Sequence, residues 1–198
     1  MREAVHIAVP VLIQNVNNKK LKQMFKQIIK VRVLADGCLP EVSERGDWVD
    51  LKSAISVNLQ GPEADTLKKH KNEKYRKVKF RDALIPLGVA MQLPEGMEAH
   101  IVARSSMYKN WKSFITNAIG IIDNSYCGPK DQWKAHIVAL DDTDINVHER
   151  ICQFRILPSQ KATFWQKLKW LLSDGIEIVE VDELDNENRE GFGSTGRL

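Results

Sequence analysis

The sequence predicts an all-β protein carrying a strand and helix at its N-terminus and one amphipathic helix inserted near its end. Eight segments, 31–34, 48–57, 83–93, 99–104, 114–122, 135–140, 150–157 and 176–181, are short, rich in Val, Ile and Ala, and bounded by Gly, Pro, Asn or Asp. That is the pattern of strands joined by turns in a β-sandwich, barrel or jelly roll. Helical periodicity nearly vanishes between residues 30 and 164, and 198 residues is the length of one ordinary domain with a single core.

In chain order, Val5, Ile7, Val9, Val11 and Ile13 alternate as in a strand, whereas Leu21, Met24, Phe25, Ile28 and Ile29 fall at helical spacing. Residues 1–30 therefore read as an N-terminal extension. Between residues 61 and 81 the strands give way to a polar, lysine-rich stretch that reads as the solvated tip of a long hairpin, with steering of an anionic ligand as its functional alternative. At 161–175 a helical insertion follows: Phe164, Trp165, Leu168, Leu171 and Leu172 share one face, and Gly175 stands where the helix should stop. That face is expected to pack on the helix of residues 20–30; it is also a candidate contact surface for a protein partner. Residues 188–198 read as a flexible C-terminal arm.

Lys and Arg number 29 against 26 Asp and Glu, with 43% hydrophobic and 28% charged residues. This balance argues against disorder and against a uniformly basic nucleic-acid-binding surface, so no direct nucleic-acid binding is expected. Cys38, Cys127 and Cys152 are far apart and lack metal-ligand or disulfide-framework spacing. They point to a reducing compartment, the cytoplasm. The apolar start of the chain is broken by His6 and Pro10 and is not read as a secretion signal, and no run of about 18 apolar residues suggests a membrane span.

Five stretches carry chemistry: 46–54 (GDWVDLKSA), 103–106 (ARSS), 117–128 (NAIGIIDNSYCG), 149–153 (ERICQ) and 191–196 (GFGSTG). The last offers three glycines around Ser194 and Thr195, many N–H donors on a pliable backbone able to wrap a phosphate chain. Phe192 within it is placed to stack on a flat base. Arg104 and Arg189 can grip phosphate oxygens through planar, charge-assisted forks. Phosphates together with a base mean a nucleotide.

In order and spacing the five stretches resemble the motifs of the trimeric deoxyuridine triphosphate nucleotidohydrolases, the dUTPase family, over about residues 31–195. The resemblance implies the distorted jelly roll called the β-clip. It implies hydrolysis of dUTP to dUMP and pyrophosphate, limiting uracil in DNA and supplying dUMP for thymidylate synthesis. By position, Asp123 matches the general base that activates water against the α-phosphorus. Tyr126 matches the ring that excludes a ribose 2′-hydroxyl. Asn117, Gly120, Ile121 and Ile122 match the hairpin whose backbone reads uracil: a peptide carbonyl facing N3–H suits uracil and opposes cytosine, and thymine is refused by its methyl group. Arg104, Ser105 and Ser106 match the contact to the α- and β-phosphates, with Ser105 near the bridging oxygen. Gln153 matches the glutamine beside the phosphate chain, Arg150 a structural partner there. Asp50 matches the aspartate that supports the metal and water network from outside. Arg189, Phe192, Gly193, Ser194 and Thr195 match the closing arm.

The same resemblance implies Mg²⁺ carried by the substrate triphosphate, with no protein-built metal cage. It also implies a homotrimer with shared active sites: motif three from one chain, motifs one, two and four from a neighbour, and the arm from the third. Three departures stand out: Trp48-Val49 ahead of Asp50 where many members carry glycine two residues before the aspartate, Ala103 and Ser106 where proline and glycine are frequent, and Arg189 three residues before Phe192 rather than five. The extension, the basic hairpin and the inserted helix inherit nothing. Two rivals remain. A dCTP deaminase of this fold would need a glutamate in the strand after the Asp123 turn, and 132–140 (QWKAHIVAL) has no carboxylate. An interaction or regulatory protein on the same frame would use the inserted helix, with Trp165 and Trp170 as anchors.

Overall fold

The computed structural model describes residues 26–42, 46–64, 67–70, 73–75, 77–189 and 191. Alternation of apolar and polar residues builds the central ladder. Strand β10 (Met97–Ala103) buries Met97, Ala99 and Ile101, and it pairs antiparallel along its whole length with β15 (Arg150–Pro158), from Met97 opposite Pro158 to Ala103 opposite Cys152. On the far side of β10 lies β12 (Gly120–Ile122), and on the far side of β15 lies β2 (Val49–Lys52), giving the sheet order β12-β10-β15-β2. A second sheet orders β11 (Ser113–Ile115), β13 (Lys134–Ala139) and β8 (Asp82–Pro86). A third orders β16 (Ile176–Glu180), β1 (Gln27–Val33) and β9 (Val89–Gln92), with β1 and β16 parallel. Between the sheets Trp133 and Phe154, both fully buried, meet edge to face at 5.2 Å. The all-β expectation holds, with two short helices among the described residues.

The helical reading of residues 20–30 is corrected where residues are described: 27–30 are strand. Ile28 is 52% exposed and Ile29 fully buried, opposite faces of β1 rather than one helical stripe. Partner strands on both edges, together with the β-branched residues Ile28, Ile29 and Val31, outweigh the local helical spacing. The expected strand at 5–13 and the rest of that helix lie outside the described residues.

Three expected strands are each two. Segment 83–93 breaks at Gly88, whose φ is +71° and where a Cβ would come 2.6 Å from Cys38 Sγ; β8 and β9 then enter different sheets. Segment 114–122 breaks around Ala118, at φ +56°, so that β11 pairs with β13 while β12 pairs with β10. Segment 48–57 breaks where the Ser53 hydroxyl bonds the Ile55 carbonyl at 2.6 Å, and β3 (Val57–Leu59) leaves to pair with β14 (Thr143–Ile145). Between residues 61 and 81 the chain forms two nested ladders, Glu63–Ala64 (β4) with Val78–Lys79 (β7) and Lys68–His70 (β5) with Glu73–Tyr75 (β6).

Helix α1 (Met107–Trp111), which periodicity did not announce, buries Met107 and Trp111 one turn apart and ends at Lys112, φ +47°. Helix α2 (Phe164–Leu171) is where the sequence expects it, started by a capping box between Thr163 and Gln166. Its apolar stripe is not a packed face among the described residues: Trp165 is 74% and Leu171 71% exposed, no residue of α2 is buried, and no second helix lies against it. Trp170, outside that stripe, meets the core instead. Gly175, at φ +96°, does not end α2, whose cap is Leu172; it sits between helix and β16, where its carbonyl accepts the Gln27 N–H.

Candidate active site

Strand β12 delivers its last residue, Ile122, opposite Ala99 of β10, and Asp123 follows at the start of a tight turn. The turn is held by its own side chains. Asp123 Oδ1 accepts the Ser125 N–H at 2.8 Å, an Asx-turn, and also the Ser125 hydroxyl. Asn124 donates to the Leu93 and Pro94 carbonyls at 3.0 and 2.8 Å, fixing the turn to the end of β9. Tyr126 is half-buried, and its hydroxyl donates to the Gln132 carbonyl at 3.0 Å. Asn117 lies in the exposed loop leading to β12, its side chain 3.5 Å from where a Cβ on Gly120 would sit; Ile121 points outward, 64% exposed.

Arg189 comes to this turn as well. Expected on phosphate oxygens, its guanidinium donates to both Asp123 oxygens, at 2.8 and 2.6 Å, and to the Ser125 hydroxyl. Burial raises the Asp123 carboxyl, but the hydrogen bonds from Ser125 and Arg189 and the guanidinium charge outweigh it and hold the group below the usual carboxylate range. An ionised, oriented carboxylate half open to solvent is able to accept a proton from water. Phe192, Gly193, Ser194 and Thr195 lie outside the described residues.

The second group forms at the other edge of the same sheet. Asp50 of β2 lies opposite Gln153 of β15, which in turn lies opposite Val102 of β10. Asp50 Oδ1 meets Arg104 Nε at 2.8 Å and Oδ2 meets Arg150 Nη1 at 3.1 Å. One carboxylate between two guanidiniums leaves net positive charge and sets the planes of both forks, an arrangement suited to an anion. Arg150, expected as a structural partner, does hold Asp50. Ser105 is exposed and Ser106 half-buried; the Ser106 side chain makes no capping bond to α1, so its hydroxyl is not committed there. Burial, and then the nearby Asp50 carboxylate, push the Cys152 thiol far up, making it an inert wall of this group.

The structure places Asp50 against Arg104 and opposite Gln153 as one group, and Asp123 with Tyr126 on one turn as another. The two groups do not meet within one chain. Their rows on β10, Val102 and Ala99, are three residues apart, and β12 and β2 are three strands apart. That puts about 17 Å between Asp50 and Ile122, from about 10 Å along the strands and about 14 Å across them. Two residues escaped the sequence reading: Ser125, which orients Asp123, and Asp131, which is 2% exposed and accepts the Gly128 N–H at 2.9 Å. Their one legible signal was the spacing Asp-x-Ser and Gly-x-x-Asp of side-chain-closed turns.

Among known proteins, the dUTPase family profile matches residues 71–196. The SPbeta prophage-derived deoxyuridine 5′-triphosphate nucleotidohydrolase YosS of Bacillus subtilis strain 168 is 42% identical over 77% of this chain and 86% of its own length. The deoxyuridine 5′-triphosphate nucleotidohydrolase of Hydrogenobaculum sp. strain Y04AAS1 is 35% identical over 59% of this chain and 72% of its own. Of solved structures, the dUTPase of Streptococcus mutans superposes with a TM-score of 0.54 at 18% identity, over 68% of this chain and 98% of that one, a likeness of fold.

Proposed function

The chain belongs to the dUTPase family, and on that premise we propose that it hydrolyses dUTP to dUMP and pyrophosphate with Asp123 as the base that activates water. Water attacks the α-phosphorus in line: a new phosphorus–oxygen bond forms, the bond to the oxygen bridging the α- and β-phosphates breaks, and the water proton passes to Asp123. Ser105 donates toward the bridging oxygen as its charge grows, while Arg104, Ser106 and Gln153 hold the phosphates. Uracil is read by the backbone at Gly120, Ile121 and Ile122 with Asn117 bracing the loop, and Tyr126 lies against the deoxyribose. Phe192, Gly193, Ser194 and Thr195 close over the nucleotide. The observation that carries this reading is the Asp123 carboxylate, kept ionised by Ser125 and Arg189 one residue beyond β12.

Mg²⁺ carried by the triphosphate would supply partial neutralisation of its charge. The donor set fits a metal held mainly by phosphate oxygens and water: both Asp50 oxygens are already engaged by Arg104 and Arg150, so Asp50 acts on it from outside.

The active enzyme is a homotrimer with shared sites. Support comes from the separation of the two groups: a water bonded to Asp123 and a phosphate gripped by Arg104 must lie within a few ångströms of each other, whereas Asp50, which holds Arg104, and Ile122, which precedes Asp123, stand about 17 Å apart within one chain. The Asp50 group of one copy therefore meets the Asp123 hairpin of another.

Purified protein offered dUTP, dCTP, dTTP and UTP tests the function. Pyrophosphate from dUTP, with the other three far behind, is the expected result. Ammonia from dCTP would make it a deaminase, and no turnover of any of the four would favour the interaction protein.

A further inference from the structure

We propose that the cleft between the end of α2 and the β2–β15 ladder is a second ligand site, one that takes a planar aromatic ring carrying a hydrogen-bond acceptor on its inner edge and an anionic group at its outer end. The cleft encloses about 330 Å³, at the small end of the range for ligand pockets. Trp48 and Trp170, both half-buried, are among its walls, and the buried side chains of Val49 and Ile156 line it as well. Indoles bordering an open cavity offer flat apolar faces to a ring.

Gln27 distinguishes a site from a packing gap. It is 3% exposed, it lines the cleft, and its Nε2 has no hydrogen-bond acceptor among the described residues. Buried amide hydrogens are almost always bonded, so this donor calls for an acceptor. Its backbone is fixed from both sides: residue 27 stands opposite Ile176 in the β1–β16 pairing, and its N–H donates to the Gly175 carbonyl at 3.1 Å. Both of those neighbours line the cleft too. The side chain is thus held where an acceptor entering the cleft would meet it.

Arg155 supplies the outer end. Its guanidinium carbon lies 5.5 Å from the centre of the Trp48 ring, and its side chain is 37% exposed. Its carboxylate neighbour is Asp47, 3.7 Å away and 81% exposed, a long pair in solvent that holds little. The guanidinium is free to turn its fork to an anion while its plane keeps to the indole. Ser173 adds no further donor, because its hydroxyl is bonded to the Trp170 carbonyl at 2.8 Å. An amide donor within and a guanidinium outside select against a cation, and the apolar walls select against a bare inorganic anion.

The cleft is separate from the Asp50 group. Trp48 precedes Asp50 by two residues and Arg155 follows Gln153 by two, a distance of about 7 Å along the ladder. A ligand held there borders the arginines proposed to grip phosphate without displacing anything from them.

Nucleoside monophosphates and aromatic carboxylates share the required chemistry, and calorimetric titration separates them. The full chain, in the presence of excess non-hydrolysable dUTP analogue, is titrated with thymidine 5′-monophosphate in one arm and with indole-3-acetate in the other. Saturable binding of one molecule per chain is expected in at least one arm, weakened about tenfold or more by Gln27→Met and by Arg155→Gln. Binding in the first arm alone assigns the site to nucleotides, in the second alone to aromatic acids, and in both to the ring and anion they have in common. Binding of neither probe, or equal binding by the two variants, would overturn the proposal. A second readout needs no ligand. Gln27→Met removes an unpartnered donor and nearly keeps the shape, so the midpoint of denaturant unfolding should stay level or rise. A lowered midpoint would mean that the amide is already bonded inside the protein, and would overturn the proposal too. Neither measurement reads turnover, so both stand apart from the role given to Asp123.

Discussion

Asp123 is pulled in two directions, upward by partial burial and downward by Ser125 and Arg189, and the second wins. Replacing it with Asn keeps the shape and removes the proton acceptor, so kcat should fall by about 10²- to 10⁴-fold while affinity for a non-hydrolysable dUTP analogue changes little. An equal loss of binding would deny it the role of base. The sign of the pH effect follows from the lowered pKa: a carboxylate below its ordinary value stays charged as pH falls through the usual range, so activity is lost only at more acidic pH. Arg189→Ala removes one of the contributions that lower it. The acid limb of the kcat/KM profile should therefore move to higher pH, toward the ordinary aspartate value of about 3.9; an unmoved limb would mean that the Arg189 contact does not tune the free enzyme. Tyr126→Ala should raise the kcat/KM for UTP relative to dUTP, since the ring's proposed task is to leave no space for a 2′-hydroxyl.

The elements differ in how openly the sequence declares them. Met97, Ala99 and Ile101 alternate with half-exposed neighbours, and β10 could be read from that pattern alone. The breaks at Gly88 and Ala118 could not, because an apolar run looks the same whether it stays in one sheet or crosses to another. Ile28 and Ile29 misled for a related reason: two adjacent isoleucines fit a helical stripe as well as the two faces of a strand, and only the flanking β9 and β16 decide. On α2, side-chain identity promised a packed face, whereas burial gives only Trp170 to the core. Stability should follow burial. Phe154→Ala, which empties one half of the ring pair with Trp133, should cost about 3–5 kcal/mol, and Trp165→Ser about 0.5 kcal/mol or less, both measured by denaturant unfolding. A large loss from Trp165→Ser would show that the exposed stripe is covered after all.

For the whole molecule, the residues of each proposed half of the site were legible from motifs, but the distance between the two groups was not. Asp50, Arg104 and Gln153 meet because β2, β15 and β10 are neighbours, and Asp123 stands apart because β12 joins the opposite edge. Sheet order is a non-local property that spacing along the chain does not record. Asp131 was invisible for the same reason, its partner Arg189 lying 58 residues away. From the separation it follows that sizing in solution should give three chain masses, and that dilution below the assembly threshold should abolish turnover without unfolding the chain; full activity from a single chain would refute a shared site. The claim beneath all of this is that water attacks the innermost phosphorus. A single turnover of dUTP in ¹⁸O-labelled water measures it directly: the label should appear in dUMP and be absent from pyrophosphate, whereas label in pyrophosphate would place the attack elsewhere and contradict the role given to Asp123.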